Sequence, residues 1–302
     1  EEYTETLICT GTYKCNLPDP AGAWSAGGAM IIAKRNFGSA GTQNAAIGFG
    51  SSSTTEAYNG TAWTLGGSMT YGRLYLAGSG TQNAALAFGG GTPGVLACTE
   101  EYNGTSWTNG GAMAIARTQL GGTGLQDASI AFAGLNPTYL TCTEEYDGST
   151  WATGGAMIEA RSYIGSAGTQ NAGLAFGGND PDNQCVTEEY NGTAWSAGGN
   201  MITGREILGG AGIQNAALAF GGRNPNATGA TEKYNGTSWT VDGTMNTPRL
   251  SLGGAGDSLA ALAFGGTTPS LTNVTEEFLA TIGACVYFNR KTCTRCLSAT
   301  CT

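Results

Sequence analysis

A strict 44-residue spacing of aromatic residues is the feature that most constrains how this chain folds. These positions are Tyr58, Tyr102, Tyr146, Tyr190, Tyr234 and Phe278. A tryptophan stands five residues after each tyrosine, and one further tryptophan lies nearer the start; together they are Trp24, Trp63, Trp107, Trp151, Trp195 and Trp239. A methionine follows each tryptophan by six residues, and Lys or Arg follows four residues later. Landmarks that recur in such register predict repeated architecture.

One repeat has the pattern of four short antiparallel strands. Two Gly/Ala-rich segments follow Arg73, and the tyrosine and tryptophan segments come after them. Asn103 and Gly104 separate the last two, and Asn-Gly supplies the positive φ angles of a type I′ hairpin turn. A unit of this size cannot bury both faces alone, so we predict that each repeat is one blade of a β-propeller. The 51 glycines suit the crowded innermost strands.

Counting the second strands predicts an all-β propeller of six blades with four antiparallel strands each. These strands end at Phe49, Phe88, Phe132, Phe176, Phe220 and Phe264. The last blade lacks a tryptophan strand, whereas Trp24 lacks preceding strands, so the N-terminal strand is expected to complete the last blade and close the ring. Glu1-Glu2-Tyr3 is an alternative to Thr275–Phe278 as third strand. The predicted division is a cysteine-containing extension (1–21), the propeller (22–279) and a cysteine-rich tail (280–302).

The order of double glycine, Tyr, Trp, Met and Arg resembles the kelch repeat over about residues 22–279. Departures are Lys34 in place of Arg, and Gly50-Ser51 and Ala133-Gly134 in place of double glycines. The uniform repeats, with their NGT turns and TQNAA hairpins, also resemble those in structural proteins of tailed bacteriophages and in bacterial surface proteins. The kelch family contains galactose oxidase, whose copper site needs histidine. This chain has no histidine, so that activity does not carry over.

The charge pattern excludes several function classes. The net charge is −9 with 13 thinly spread Lys and Arg residues, whereas nucleic-acid binding requires clustered cations. The absence of His removes His-based catalytic triads. The paired glutamates, such as Glu100 and Glu101, point to opposite faces of a strand and cannot act together on one bond. We therefore predict that one of each pair bonds the repeated Arg. Recognition of an anion by the arginines together is the alternative.

Candidate binding residues lie in the loops between second and third strands, which vary most among the repeats. Variable loops on a repeated frame are where binding specificity usually resides. The candidates are Tyr139, Asn179, Asp180, Asp182, Asn183, Arg223 and Asn224. A calcium site in NDPDN is a weaker alternative, since its spacing is not that of an EF-hand. On the opposite face, an inner polar ring is expected from Gln43, Gln82, Gln126, Gln170 and Gln214.

Nine cysteines divide into two groups. Cys98, Cys142 and Cys185 lie within the repeats and are interpreted as small buried fillers. Three disulfides are predicted among the other six, which ring closure would bring together: Cys9, Cys15, Cys285, Cys293, Cys296 and Cys301. A zinc site formed by Cys293 and Cys296 with Cys9 and Cys15 is the alternative.

The sequence thus predicts a non-catalytic structural or binding module, without cofactor or metal, displayed in an extracellular setting or on a virion. Its expected partners are other virion or surface-assembly proteins and a host-surface glycan or protein; neither nucleic-acid binding nor membrane insertion is expected. No run of about 18 apolar residues is present. The alternatives are a carbohydrate-active enzyme resembling sialidase or lyase propellers, and a purely architectural decoration.

Overall fold

The computed structural model describes residues 21–91 and 93–281. Residues 21–280 form one compact unit of strands and turns. Among the described residues, no helix could cross a membrane. The cysteines for which disulfides or zinc are predicted lie outside the described residues: Cys9, Cys15, Cys285, Cys293, Cys296 and Cys301.

Six sheets of four antiparallel strands make up the unit, as predicted. The described part begins with β1 (Ala23–Ala26), which belongs to the last blade. Blade 1 contains β2 (Gly38–Thr42), β3 (Ala45–Phe49), β4 (Thr55–Tyr58) and β5 (Trp63–Leu65). Blade 2 contains β6 (Ala77–Thr81), β7 (Ala84–Phe88), β8 (Thr99–Tyr102) and β9 (Trp107–Asn109). Blade 3 contains β10 (Gly121–Leu125), β11 (Ala128–Phe132), β12 (Thr143–Tyr146) and β13 (Trp151–Thr153).

The second half of the ring repeats this order. Blade 4 contains β14 (Gly165–Thr169), β15 (Ala172–Phe176), β16 (Thr187–Tyr190) and β17 (Trp195–Ala197). Blade 5 contains β18 (Gly209–Ile213), β19 (Ala216–Phe220), β20 (Thr231–Tyr234) and β21 (Trp239–Val241). Blade 6 contains β22 (Gly253–Gly256), β23 (Ala260–Phe264) and β26 (Thr275–Leu279), and its loop carries the short pair β24 (Thr267–Thr268) and β25 (Ser270–Leu271).

The N-terminal strand closes the ring. β1 pairs antiparallel with β26 and places Trp24 opposite Phe278. The third strand of blade 6 is therefore Thr275–Leu279, which decides between the two candidates that the sequence left open. Each inner strand contacts the inner strands of both neighbours, and β2 contacts β22. Closure of this kind flanks every inner strand with the inner strands of two neighbouring blades.

Small residues in the inner strands allow the blades to meet at the axis. A Cβ atom on Gly210 would lie 2.4 Å from the Ser166 carbonyl oxygen of the neighbouring blade. A Cβ on Gly254 would lie 2.5 Å from the Gly210 carbonyl oxygen. Contacts this short with backbone atoms leave no room for any side chain, so glycine is required by the close approach of the strands.

The tryptophans fill the junctions between blades. Trp107 packs on Phe49 of the preceding blade, with ring centroids 4.9 Å apart. Its indole Nε1 donates a hydrogen bond of 2.8 Å to Thr55 Oγ1 in that blade. Trp24 makes the equivalent bond of 3.0 Å to Thr231 of blade 5, so it occupies the tryptophan position of blade 6. All the tryptophans are buried except Trp151, which is half-buried.

The glutamines expected to form an inner polar ring also join neighbouring blades. Gln82 Nε2, for example, donates to the carbonyl oxygens of Ala46 and Tyr58 in blade 1, at 2.9 and 2.5 Å. Their role is therefore to hold adjacent hairpins together as well as to supply polar groups.

The interpretation of the repeat cysteines as buried is wrong. Each of them lies at the end of a loop and is half-buried: Cys98, Cys142 and Cys185.

Candidate functional site

The loops between the second and third strands stand on one face of the ring, which we call the loop face. In blade 1 this loop spans only residues 50–54. The loops of blades 2 to 6 span residues 89–98, 133–142, 177–186, 221–230 and 265–274. In each of these five blades the loop forms an isolated β-bridge to the segment that leads into the inner strand, as between Ser162 and Asn179. The wall of loops is therefore lower at blade 1 than elsewhere.

The predicted binding residues come together in the loops of blades 3, 4 and 5. Tyr139 donates a hydrogen bond of 2.9 Å from its hydroxyl to Asn179 Oδ1 in the next blade. Asn183 Nδ2 in turn donates to the carbonyl oxygen of Arg223, at 3.2 Å, in the blade after that. These bonds join three loops into a continuous ridge across half of the loop face.

The remaining predicted residues decorate this ridge. Arg223, whose side chain is 45% exposed, forms an ion pair of 2.6 Å with the buried Glu206. Asn224 Nδ2 donates to the carbonyl oxygen of Gly204 at 2.6 Å. Asp180 and Asp182 are exposed, and their backbone carbonyls accept hydrogen bonds from the Gln184 side chain. The described residues contain no group of three or more side chains suited to hold a metal ion, and the calcium alternative gains no support from them.

The repeated Arg and Glu residues form buried ion pairs within each blade, as predicted. Arg161 Nη2 lies 3.0 Å from Glu188 Oε1, and both side chains are almost fully buried. Glu188 also accepts a hydrogen bond of 2.7 Å from the backbone N–H of Ile158. Burial lowers the pKa of Arg161, and the charge of Glu188 opposes that shift. The equivalent pairs are Lys34–Glu56, Arg73–Glu100, Arg117–Glu144, Arg205–Glu232 and Arg249–Glu276.

The second glutamate of each pair points to the other face of the strand and bonds a neighbouring blade. Glu277 accepts a hydrogen bond of 2.6 Å from the Tyr58 hydroxyl. Burial, then the bond to glutamate, raises the pKa of Tyr58 to about 12. The same bond joins Tyr146 to Glu101, Tyr190 to Glu145 and Tyr234 to Glu189. Both glutamates of a pair are thus engaged in separate structural contacts.

A second feature of the loop face surrounds the propeller axis. In every blade, one residue just before the inner strand has a backbone φ between 52° and 59°. These residues are Asn36, Tyr75, Gln119, Tyr163, Ile207 and Ser251. The backbone N–H of each donates to the carbonyl oxygen of its predecessor, and the bond from Asn36 to Ser251 closes the cycle. We call these six residues the axial ring.

The axial ring borders a depression of about 100 Å³ on the loop face. Tyr75 and Tyr163 lean toward each other over it, with ring centroids 5.9 Å apart and a nearly perpendicular arrangement. Burial and the neighbouring Tyr75 raise the pKa of Tyr163 to about 12, so its phenol is neutral at physiological pH. Sequence reasoning missed this site. The sequence does contain a signal for it. The residue two positions after the repeated Lys or Arg differs from repeat to repeat, although the landmark residues around it are the same.

Below the axial ring, the inner strands enclose a central cavity of about 230 Å³. Its hydroxyl groups bond neighbouring strands: Ser39 Oγ donates to the Gly254 carbonyl oxygen at 2.9 Å, and Thr123 Oγ1 donates to that of Gly168 at 2.7 Å. The polar side chains that line the cavity therefore serve as links between neighbouring blades.

No protein-family model matches the chain, and no curated protein is similar enough to count as a match. The six-bladed propeller is therefore established by the structure itself. On its loop face, the ridge exposes carboxylate, amide and guanidinium groups, and the axial ring adds aromatic rings. Such groups can form hydrogen bonds to a polar ligand and stack on it.

Proposed function

We propose that this chain is a kelch-like, non-catalytic binding module, displayed on a virion or cell surface, which adheres to a host-surface glycan or protein through the ridge of blades 3 to 5. The observation that carries the proposal is the joining of three variable loops by side-chain hydrogen bonds on an otherwise uniform frame. A ridge held in this way is organised before a ligand arrives, which reduces the entropic cost of binding.

The distribution of charge supports the proposal. The frame buries its arginines and first glutamates in ion pairs, and so few carboxylates reach the surface. The exposed ones among the described residues are Asp127, Asp147, Glu159, Asp180, Asp182 and Asp257. Asp180 and Asp182 lie on the ridge, whereas Asp127, Asp147 and Asp257 lie in hairpin turns on the opposite face. Engagement of both repeated glutamates in structural contacts favours binding over glycoside hydrolysis as the task of this fold.

The proposed location of the protein, on a virion or cell surface, is supported by its composition and its repeats. A surface with few charged residues and many Gly, Thr and Asn residues suits an extracellular module or one on a virion, and the uniform repeats resemble those of bacteriophage structural proteins. Assembly proteins of the virion or cell surface are the proposed structural partners. The terminal cysteines are proposed to form disulfides, and non-reducing mass spectrometry of the full chain distinguishes these from free thiols or zinc.

The test compares two charge-removing variants of the full chain. Asp180→Asn/Asp182→Asn alters the ridge, and Asp147→Asn alters the opposite face with the residue that Asn59 and Asn103 already place in that turn. The probes are immobilised glycans and extracted cell-surface polysaccharides on an array, together with intact bacterial cells. Loss of binding in the first variant alone supports the proposal. Unchanged binding in both variants refutes the ridge, and no binding by the unmodified chain favours an architectural role.

A further inference from the structure

We propose that the axial ring is a subsite for a neutral sugar, with Tyr75 and Tyr163 as its stacking residues and Gln119, Asn36 and Ser251 as its hydrogen-bonding groups. This inference rests on the proposed binding function and specifies a second contact for the same ligand. Three observations carry it: the retained backbone strain, the diversity of the side chains and the chemistry of the depression.

Backbone strain is the first observation. Non-glycine residues rarely adopt a positive φ, because their Cβ atom crowds the backbone. The described part of the chain places glycine at twenty-one other positive-φ positions. Six of the eight non-glycine exceptions are the members of the axial ring. Glycine would relieve the strain at each of them and keep the cyclic backbone hydrogen bonds. Retaining a side chain at every member therefore indicates that the side chains have a use.

The diversity of these side chains is the second observation. The residue after each ring member is a buried Phe, Leu or Ile that fills the core in every blade. The ring members themselves are Asn, Tyr, Gln, Tyr, Ile and Ser. A position that served packing alone would repeat one class of side chain, as the neighbouring position does with large apolar residues. Five residue types at six equivalent positions thus make the axial ring asymmetric within a symmetric backbone, as recognition of an asymmetric ligand requires.

The chemistry of the depression is the third observation, and it selects the ligand class. None of the six ring members carries a charge, and the nearby Arg223 and Glu206 neutralise each other at 2.6 Å. Aromatic rings beside amide and hydroxyl groups suit a ligand with C–H faces and many hydroxyls, which describes a neutral pyranose. The depression has a volume of about 100 Å³. It therefore accepts one edge of a terminal sugar and no more.

Access fits this assignment. The loop of blade 1, residues 50–54, is the shortest of the set and lowers the wall beside Asn36. The loops of the opposite side, in blades 3 to 5, form the ridge described above. A glycan chain can therefore extend from the axial ring in either direction: outward over blade 1, or up along the ridge toward Asp180.

The experiment uses the full chain and an array of neutral oligosaccharides with terminal glucose, galactose, mannose or N-acetylglucosamine, followed by calorimetry on those that bind. Tyr75→Asn and Tyr163→Asn remove the aromatic rings and introduce the residue that already adopts this backbone at Asn36 with φ 52°. The matched control is Tyr71→Asn, which alters an exposed tyrosine in a blade-linking segment of the same face. We expect each ring variant to weaken binding by about tenfold or more, as loss of a central aromatic anchor does, and the control to bind as the unmodified chain.

A further variant separates folding from binding. Gln119→Gly relieves backbone strain and removes an amide, so the melting temperature should be equal or higher while sugar binding weakens. The inference is overturned if the Tyr75 and Tyr163 variants bind neutral sugars within twofold of the unmodified chain, or if the chain binds only acidic glycans. Binding that is lost in Asp180→Asn/Asp182→Asn but kept in the ring variants leaves the ridge proposal standing and rejects the axial site. Failure of the unmodified chain to bind any glycan or cell rejects both.

Discussion

The phenol of Tyr146 lies 2.5 Å from the carboxylate of Glu101 in the preceding blade. The same contact joins most pairs of neighbouring blades, and the two exceptions are instructive. Lys233 stands at the glutamate position of blade 5, and the next blade has Phe278 in place of tyrosine. A lysine cannot accept a hydrogen bond from a phenol, and the phenylalanine does not require an acceptor. At the other exception, Ala57 precedes Tyr102.

Tyr146→Phe should lower the free energy of unfolding by about 1–3 kcal/mol, because Glu101 loses a donor and the Gly111 backbone N–H loses an acceptor in a half-buried position. Tyr102→Phe is the matched control, since Ala57 stands where its carboxylate partner would be. Urea denaturation followed by tryptophan fluorescence measures both. Equal losses in the two variants would show that the hydroxyl acts through packing and not through the glutamate.

The same tyrosines make stability sensitive to alkaline pH. Burial, then the hydrogen bond to glutamate, raises to about 12 the pKa of Tyr58, Tyr146, Tyr190 and Tyr234. In the unfolded chain a tyrosine titrates near pH 10, so the folded state disfavours the phenolate. This contribution to stability is complete below about pH 10 and is lost as pH rises toward 12. Phenolate absorbance and circular dichroism should therefore change together in that range. A fold that persists while all the phenols ionise would contradict this expectation.

Arg161→Met should reduce the free energy of unfolding by about 3–5 kcal/mol, because it leaves Glu188 charged and buried without its partner. Arg161→Lys should cost less, since Lys34 serves the equivalent position in blade 1, at 3.8 Å from Glu56. The double variant Arg161→Met/Glu188→Leu removes both charges and should recover part of the loss. Urea denaturation ranks the three. If the double variant is more stable than the unmodified chain, the ion pair costs more than it contributes.

Ring closure predicts a difference between two tryptophans in equivalent positions. Trp24→Ala and Trp239→Ala should each cost about 3–5 kcal/mol through lost burial. Trp24 lies on β1, which pairs with β26 from the other end of the propeller, whereas Trp239 lies on β21, which pairs with the strand just before it in the chain, β20. Amide hydrogen exchange in Thr275–Leu279 should therefore accelerate in the Trp24 variant and remain slow in the Trp239 variant. Equal protection in both would show that β1 is dispensable for closure.

Much of the fold could be predicted because it is a consequence of local patterns repeated at a constant interval. The Asn-Gly loops, the alternation within strands and the unmatched Trp24 together predicted four-stranded blades, their number and the closing strand. The type I′ geometry predicted for these loops is wrong, because Gly104 has a positive φ and Asn103 does not. The buried Arg–Glu pairs followed from the same repetition. The partner of the second glutamate did not, because Tyr190 and Glu145 lie 45 residues apart and meet only through the rotation between two blades.

The candidate site divides in the same way. Variation among loops identified the residues of the ridge, since a difference between aligned repeats is visible without coordinates. Their contacts, such as Tyr139 with Asn179, and the whole axial ring were decided by the tertiary structure. The physical reason is that hydrogen-bonding pattern and strand length are set by neighbouring residues along the chain, whereas the distance between corresponding residues of different blades is set by the angle at which six sheets close around an axis.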